Sequence, residues 1–305
     1  MSRLIKPTRA FVTGGGGFLG RTLVPLLTQR GYEVDAPSSR ECDLTVEGSL
    51  DSFSRPYDLI FHLAAWTQAG DFCLKHPGEQ WLINQKINTH ILNWWHQKQS
   101  QAKAVLLGTS CAYDPTLPLV EENYLKGEPI LSLYTYAMTK RMLWVGAQSL
   151  SKQYGLKAIN FVPSTLCGNY YHEDGRQMHF IYDLARKILH AKRTGEPVAL
   201  WGDGHQRREV VSVVDFCQGM MQLIEKENVW GETFNLGAGH DYSIRDFAGA
   251  LCRMVGVEVS QVRYDETQYT GAKSKCLVVD KVRKWISWEP AGLDSCVQLV
   301  LKAFT

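Results

Sequence analysis

Four consecutive glycines, residues 14–17, follow the short apolar run of residues 10–12 and precede a stretch with helical spacing at residues 21–30. Together with Gly20 they form a GxxGxxG pattern on Gly14, Gly17 and Gly20. Glycines at these positions permit a tight turn and place a pyrophosphate at a helix N-terminus, where free N–H groups and the helix dipole stabilise it. The feature predicts a strand-turn-helix unit that binds a dinucleotide. A merely flexible turn is the alternative.

Strand and helix patterns alternate through the first half of the chain. Short apolar runs predict strands at residues 10–12, 32–34, 59–63, 104–107 and 157–162, and helical spacing predicts long helices at 80–98 and 134–154. Such alternation is typical of a parallel sheet covered by helices on both faces. With 305 residues, 45% of them hydrophobic, the chain is long enough to bury such a core. The predicted fold class is therefore α/β, a Rossmann-type doubly wound parallel sheet.

After residue 163 the alternation breaks. A polar loop, a helix at about residues 178–192 and loosely spaced later helices predict a smaller α/β C-terminal lobe. We expect it at the carboxyl ends of the strands, where open α/β sheets bind ligands. The expected division is a dinucleotide-binding domain at 1–165, with returning segments at about 205–240, and a substrate lobe formed by 166–204 and 241–305.

Composition excludes several classes of protein. The 33 basic and 31 acidic residues give a net charge of +2 without a long block of either sign, so neither a nucleic acid nor a membrane surface is expected as a partner. The chain starts without an apolar stretch of signal-peptide length, and a cytoplasmic enzyme is expected. Eight scattered cysteines without a CxxC pair predict neither a disulfide framework nor a metal site.

The end of the second predicted strand bears on the choice of cofactor. There an acid favours NAD and a basic residue favours NADP. Asp35 lies at the strand end, whereas Ser38, Ser39 and Arg40 occupy the turn beyond it. Hydroxyls and a guanidinium favour NADP(H), with NAD as the alternative. The rest of the predicted cofactor site comprises Phe18, Leu19, Asp43, Leu44, Leu63, Ala64, Ala65, Lys140 and Pro163.

A YxxxK pattern places Tyr136 and Lys140 one turn apart near the start of a predicted helix. The lysine ammonium is expected to lower the pKa of the phenol. A tyrosine of this kind donates or accepts a proton beside a carbonyl that gains or loses hydride. The pattern alone is common, but together with the glycine motif it predicts a reductase site.

Five segments carry a resemblance to a known family: TGGGGFLG, FHLAA, GTSCAY, YTYAMTK and WGDGHQRREVVSVVD. Together they resemble the extended short-chain dehydrogenase/reductase family, which modifies nucleotide-linked sugars. The resemblance implies a nucleotide-sugar substrate. It also implies a homodimer formed through helices similar to residues 80–98 and 134–154.

The residues after the fourth strand, Thr109-Ser110-Cys111, separate the activities of that family. Sugar dehydratases carry Thr-Asp-Glu there, and 4-epimerases carry a serine followed by small or apolar residues. The GDP-L-fucose synthase branch, which epimerises and reduces a GDP-4-keto-6-deoxy sugar, carries Ser-Ser-Cys. This resemblance implies that Cys111 is the base and His179 the acid of epimerisation. A buried, inert cysteine is the alternative for Cys111.

Further roles follow from the same resemblance. Thr109 and Tyr136 would hydrogen-bond the ketone oxygen, and the substrate would also contact Lys187, Trp201 and Arg208. The chain departs from the branch at residues 164–169 and at Thr270, where the branch has an aspartate that meets the ribose. These departures leave the sugar and the base open.

Two other hypotheses about function stay open. One is an enzyme with only one of the two activities, either a 4-reductase or an NAD-dependent 4-epimerase of the same family. The other is a non-enzymatic sensor or scaffold, against which the intact Tyr136 and Lys140 argue.

Overall fold

The computed structural model describes residues 8–69, 72–171, 177–267 and 274–305. Thr270 lies outside these described residues. The α-helices are α1 (Gly20–Gln29), α2 (Phe72–Lys75), α3 (Pro77–Lys98), α4 (Tyr134–Tyr154), α5 (Phe180–Thr194), α6 (Val213–Ile224), α7 (Ile244–Val255), α8 (Asp280–Arg283) and α9 (Leu293–Leu301). The strands are β1 (Arg9–Thr13), β2 (Glu33–Asp35), β3 (Leu59–His62), β4 (Lys103–Leu107), β5 (Ala158–Pro163), β6 (Thr165–Cys167), β7 (Val198–Trp201), β8 (Arg207–Arg208), β9 (Val210–Ser212), β10 (Thr233–Leu236), β11 (Tyr242–Ser243) and β12 (Val262–Asp265).

Six strands form the main sheet in the order β2-β1-β3-β4-β5-β10, all parallel. Its central strands are buried along almost their whole length, which explains why they read as continuous apolar runs in the sequence. The strand order reverses between β1 and β3, and the crevice at such a point is where open α/β sheets bind ligands. The predicted Rossmann-type fold is confirmed.

Helix α4 carries the YxxxK pattern and has the bounds that the sequence predicts. It ends where Gly155 takes a left-handed conformation, with φ +73°, which glycine adopts at little cost. Helix α3 packs against α4 and begins three residues earlier than predicted. Pro77 accounts for that difference, because proline fits the first turn of a helix.

Apolar side chains form two cores. The first lies around the six-stranded sheet, and the second joins α5, α7 and α9 to strands β7 and β12. Residues 277–288, predicted in the substrate lobe, pack in the first core instead. Trp288 explains this placement, since its indole N–H donates to the Gly237 carbonyl just after β10 at 2.8 Å. Within the described ranges, none of the helices has the length and apolar content that crossing a membrane requires.

Candidate active site

The glycine turn between β1 and α1 is shaped by close backbone contacts. Gly14 has φ +69°, and a Cβ there would lie 2.9 Å from the Ala64 nitrogen. A Cβ on Gly20 would lie 2.4 Å from the Gly14 oxygen. Above Gly16, by contrast, a Cβ would meet nothing within 4 Å. The turn therefore fits a pyrophosphate at the N-terminus of α1, which is the role that the sequence predicts for Gly14, Gly17 and Gly20.

Thr13 joins this turn to the loop after β3. Its hydroxyl oxygen accepts hydrogen bonds from the backbone N–H groups of Leu63 at 3.1 Å and Ala64 at 3.2 Å. These bonds hold the predicted cofactor residues Leu63 and Ala64 beside the glycine turn. Of the other predicted positions, Leu19 is buried, and three are half-buried: Phe18, Ala65 and Pro163.

At the end of β2 the carboxylate of Asp35 is already occupied. Arg55 Nε donates to it at 2.7 Å, and the Tyr57 hydroxyl donates to the same oxygen. Ser39 and Arg40 are exposed on the turn beyond it. Asp35 Oδ2 is thus engaged within the protein, and the exposed Arg40 guanidinium beyond it suits the predicted NADP(H).

Two further predicted cofactor residues shape the segment after that turn. The Asp43 carboxylate accepts from the Thr45 N–H at 2.9 Å, and Leu44 is buried. The Leu44 carbonyl lies 2.8 Å from His90 Nδ1. Both contacts fix the backbone of the segment that borders β2.

The catalytic helix α4 presents Tyr136 and Lys140. Burial lowers the Lys140 pKa to about 8. The Tyr136 pKa is raised, first by burial and then by the neighbouring Cys111 thiol, while the Thr109 hydroxyl lowers it. The predicted lowering of the phenol pKa by Lys140 is therefore wrong, because desolvation raises that pKa instead. With its pKa raised, Tyr136 is protonated at neutral pH and carries a proton that it could donate.

A buried hydrogen-bond chain connects the glycine turn to this helix, and sequence reasoning missed it. Thr13 Oγ1 lies 2.8 Å from His62 Nδ1, and His62 Nε2 lies 3.3 Å from Asn88 Oδ1. The Thr13 hydroxyl oxygen already accepts from two N–H groups, so the hydroxyl donates its own proton to His62 Nδ1. His62 Nε2 therefore carries the ring proton and donates it to Asn88 Oδ1. Asn88 then donates to the Thr139 carbonyl at 3.1 Å. Burial lowers the His62 pKa to about 3, which keeps this histidine neutral and structural.

Cys111 lies in a single 3-10 turn, Ser110–Ala112, at the carboxyl end of β4. Thr109 caps that turn, since its side chain accepts from the Cys111 N–H at 3.2 Å. The thiol is half-buried, and Lys275 Nζ donates to Cys111 Sγ at 3.1 Å. Lys275 lies 164 residues away in sequence, and no motif in the sequence connects it to the cysteine.

His179 is the N-cap residue of α5. Its backbone N–H donates to the Tyr171 hydroxyl at 2.8 Å. The side chain is accessible to solvent, yet enough protein surrounds it that desolvation lowers its pKa. A lowered pKa favours the neutral imidazole of His179, whereas the acid of epimerisation would have to be the imidazolium. In the described ranges His179 and Cys111 make no direct hydrogen bond to each other. Such a bond is not expected of a base and an acid that act on opposite faces of a sugar ring.

The predicted substrate residues lie on three elements of the chain. Burial lowers the pKa of Arg208, which donates through Nη1 to the Arg207 carbonyl at 2.8 Å. Lys187 pairs with Asp183 at 3.0 Å. Trp201 is 61% exposed at the end of β7, which suits a side chain that stacks on a ligand. Within the part of the chain that the structure describes, no group of three or more His, Cys, Asp or Glu could hold a metal ion.

A profile of the NAD dependent epimerase/dehydratase family matches residues 10–237. This match covers more than half of the chain, so the protein belongs to that family. The predicted class is thereby confirmed: an enzyme on a Rossmann-type fold that belongs with the epimerases and reductases of nucleotide sugars.

Two of the relatives that the chain resembles are named as synthases of GDP-linked sugars. The chain is 28% identical over 314 residues to a GDP-L-fucose synthase of Escherichia coli strain K12, covering 96% of this chain and 97% of the relative. It is 25% identical over 280 residues to a GDP-L-colitose synthase of Yersinia pseudotuberculosis, covering 88% and 89%.

Solved structures show the same fold at lower identity. A GDP-D-glycero-L-gluco-heptose synthase from Campylobacter jejuni, crystallised in the presence of NADPH, superposes with a TM-score of 0.83 at 18% identity, covering 98% of each chain. A GDP-L-fucose synthetase from Naegleria fowleri bound to NADP also gives 0.83, at 19% identity, covering 99% of this chain and 95% of the other. The NADP(H) expectation agrees with both.

Proposed function

We propose that this protein is an NADPH-dependent epimerase and reductase of a GDP-4-keto-6-deoxy sugar. One observation carries the proposal: the Cys111 thiol and the Thr109 hydroxyl both lie close enough to the Tyr136 phenol to shift its pKa. A proton-abstracting group and a ketone-binding group thus share one site. The names of the relatives, GDP-L-fucose synthase and GDP-L-colitose synthase, support a GDP-linked substrate.

The epimerisation step uses the acidity that a 4-ketone gives to the hydrogens on C3 and C5. The Cys111 thiolate removes one of these protons, and a proton returns from the opposite face of the ring, inverting the centre. We assign that return to His179. Tyr136 and Thr109 hydrogen-bond the ketone oxygen and stabilise the negative charge that it gains.

The reduction step uses Tyr136 as proton donor. When bound, NADPH supplies the hydride for C4. Its pyrophosphate would be held at the glycine turn of Gly14, Gly17 and Gly20, and its 2′-phosphate by Arg40. The raised pKa of Tyr136 keeps the phenol protonated, so it can give its proton to the C4 oxygen as hydride arrives.

One observation favours a second candidate, a 4-reductase without epimerase activity. The lowered pKa of His179 reduces the protonated fraction that could return a proton, and reduction needs only Tyr136 and the cofactor. Incubation with GDP-4-keto-6-deoxymannose and NADPH, followed by analysis of the sugar product, separates the two. We expect NADPH consumption with a product inverted at C3 and C5. Consumption with retained configuration would support the 4-reductase, and a complete lack of consumption would contradict both.

Cofactor preference gives a direct prediction. We expect Arg40→Ala to lower kcat/KM for NADPH about 10–150-fold relative to NADH, since a hydrogen bond to a charged group contributes about 1.5–3 kcal/mol. Arg30→Ala is the matched control, because Arg30 is the C-cap residue of α1, at the end away from the glycine turn, and pairs with Glu225. An unchanged ratio in Arg40→Ala would show that Arg40 does not contact the 2′-phosphate.

The proposed homodimer rests on apolar side chains that are exposed on neighbouring helices. Trp81 and Leu82 on α3, and Met142 and Val145 on α4, are 36–61% exposed. Large apolar groups exposed together on packed helices are typical of an interface. Sedimentation equilibrium should give twice the chain mass, and Met142→Glu should halve it. A parent protein that sediments as a monomer would refute the dimer.

A further inference from the structure

A lysine from a distant part of the chain contacts the Cys111 sulfur, and the proposed mechanism gives it no role. Lys275 Nζ donates a hydrogen bond to Cys111 Sγ at 3.1 Å. Among the described residues Lys275 makes no ion pair with a carboxylate, so its positive charge is not neutralised by an acid. An ammonium beside sulfur stabilises negative charge on that sulfur.

The backbone on both sides of Lys275 is anchored. Ser274 donates through its hydroxyl to Asp241 at 2.5 Å, and Arg207 Nε holds the same carboxylate at 2.7 Å. The Leu277 N–H donates to the Glu209 carboxylate at 2.9 Å. These contacts hold Ser274 and Leu277, which lie on either side of Lys275, and the lysine side chain reaches the turn after β4.

We propose that Lys275 is a positioning residue that hydrogen-bonds the Cys111 sulfur, orients it for proton removal and stabilises the negative charge that it carries in that step. This inference rests on the proposed function of Cys111. In the step it serves, the sulfur lone pair takes a proton from carbon, an S–H bond forms and a C–H bond breaks. The electron pair of that C–H bond moves into the carbonyl and becomes the enolate charge. Lys275 keeps its own proton throughout.

The other titratable groups near the sulfur do not replace this role. Burial raises the pKa values of Cys73 and Tyr136, which both lie near Cys111. Both groups therefore stay uncharged at neutral pH, and neither a thiol nor a phenol carries a positive charge in any protonation state. Thr109 accepts from the Cys111 backbone N–H and does not contact the sulfur through that bond. Within the described ranges, Lys275 is the group that donates to the sulfur.

The test measures the thiol itself. The parent and its variants are alkylated at pH 7 with iodoacetamide, a neutral reagent that a lysine cannot attract by charge. Tryptic peptide 104–126, in which Cys111 is the one cysteine, is then followed by mass spectrometry. We expect Lys275→Met to slow alkylation of Cys111 about tenfold or more, and Lys275→Arg to stay close to the parent. Lys284→Met, an exposed lysine of the same segment, is the matched control.

NADPH affinity and proton exchange of the keto sugar distinguish a loss of the lysine contact from misfolding and from failure of the proposed function. NADPH affinity, measured by fluorescence titration, should be the same in Lys275→Met and parent, which shows that the variant is folded. If that variant fails to fold, Lys275→Gln replaces it. Alkylation of Cys111 at the parent rate in either neutral variant would overturn the inference. If alkylation of Cys111 depends on Lys275 but the parent does not exchange protons of the keto sugar, the proposed function is refuted and the contact of Lys275 with the thiol keeps its role.

Discussion

Tyr136→Phe is expected to slow NADPH-dependent reduction of the 4-keto sugar by about 10²–10⁴-fold, the contribution typical of a positioned general acid. The phenol is half-buried in the site, and its raised pKa keeps its proton available. Phenylalanine keeps the ring and the packing but has no proton to give. Single-turnover loss of NADPH absorbance measures the step without interference from product release.

Tyr134→Phe offers a matched control for that experiment. Tyr134 lies on the same helix two residues earlier, and its side chain is 41% exposed. We expect parent-like rates from it, and NADPH binding within a few-fold of the parent in both variants. Reduction by Tyr136→Phe at more than about a tenth of the parent rate would show that another group supplies the proton.

The second large effect concerns Cys111. In deuterated water without NADPH, we expect the Cys111→Ser variant to catalyse entry of deuterium at C3 and C5 of the keto sugar about 10²–10⁴-fold more slowly than the parent. A serine hydroxyl is a far weaker acid than a thiol, so it rarely provides the anion that removes the proton. The substitution leaves the Thr109 cap on the backbone N–H in place, so the turn should keep its shape. Exchange at the parent rate would refute the role of the thiol as base.

His179→Gln tests the other half of the same step. Without an acid on the opposite face, Cys111 can return deuterium only to the face from which it took the proton. We therefore expect deuterium to enter the sugar with little inversion, as seen by NMR of the recovered nucleotide sugar. Full inversion by His179→Gln would assign the acid to another residue.

The sequence predicts those parts of the molecule that depend on local patterns. The bounds of α4 follow from helical spacing and from Gly155, and the glycine turn follows from positions where a side chain would collide with backbone. Both depend on residues close together in the chain, so periodicity and steric rules suffice.

Features that depend on contacts between distant segments could not be predicted in this way. Lys275 reaches Cys111 across 164 residues, and the contacts from Thr13 through His62 and Asn88 join three separate elements. The raised pKa of Tyr136 depends on how much protein surrounds it, which spacing alone does not reveal. For the same reason the sequence does not reveal that residues 277–288, expected in the substrate lobe, pack around the six-stranded sheet.

The central claim is that one site both epimerises beside a ketone and reduces that ketone. Mass spectrometry of GDP-4-keto-6-deoxymannose after incubation with the parent protein in deuterated water tests it most directly. Without NADPH we predict that the keto sugar gains deuterium at C3 and at C5; with NADPH we predict a reduced product that retains both labels. Reduction of the ketone without any deuterium at C3 or C5 would contradict the claim.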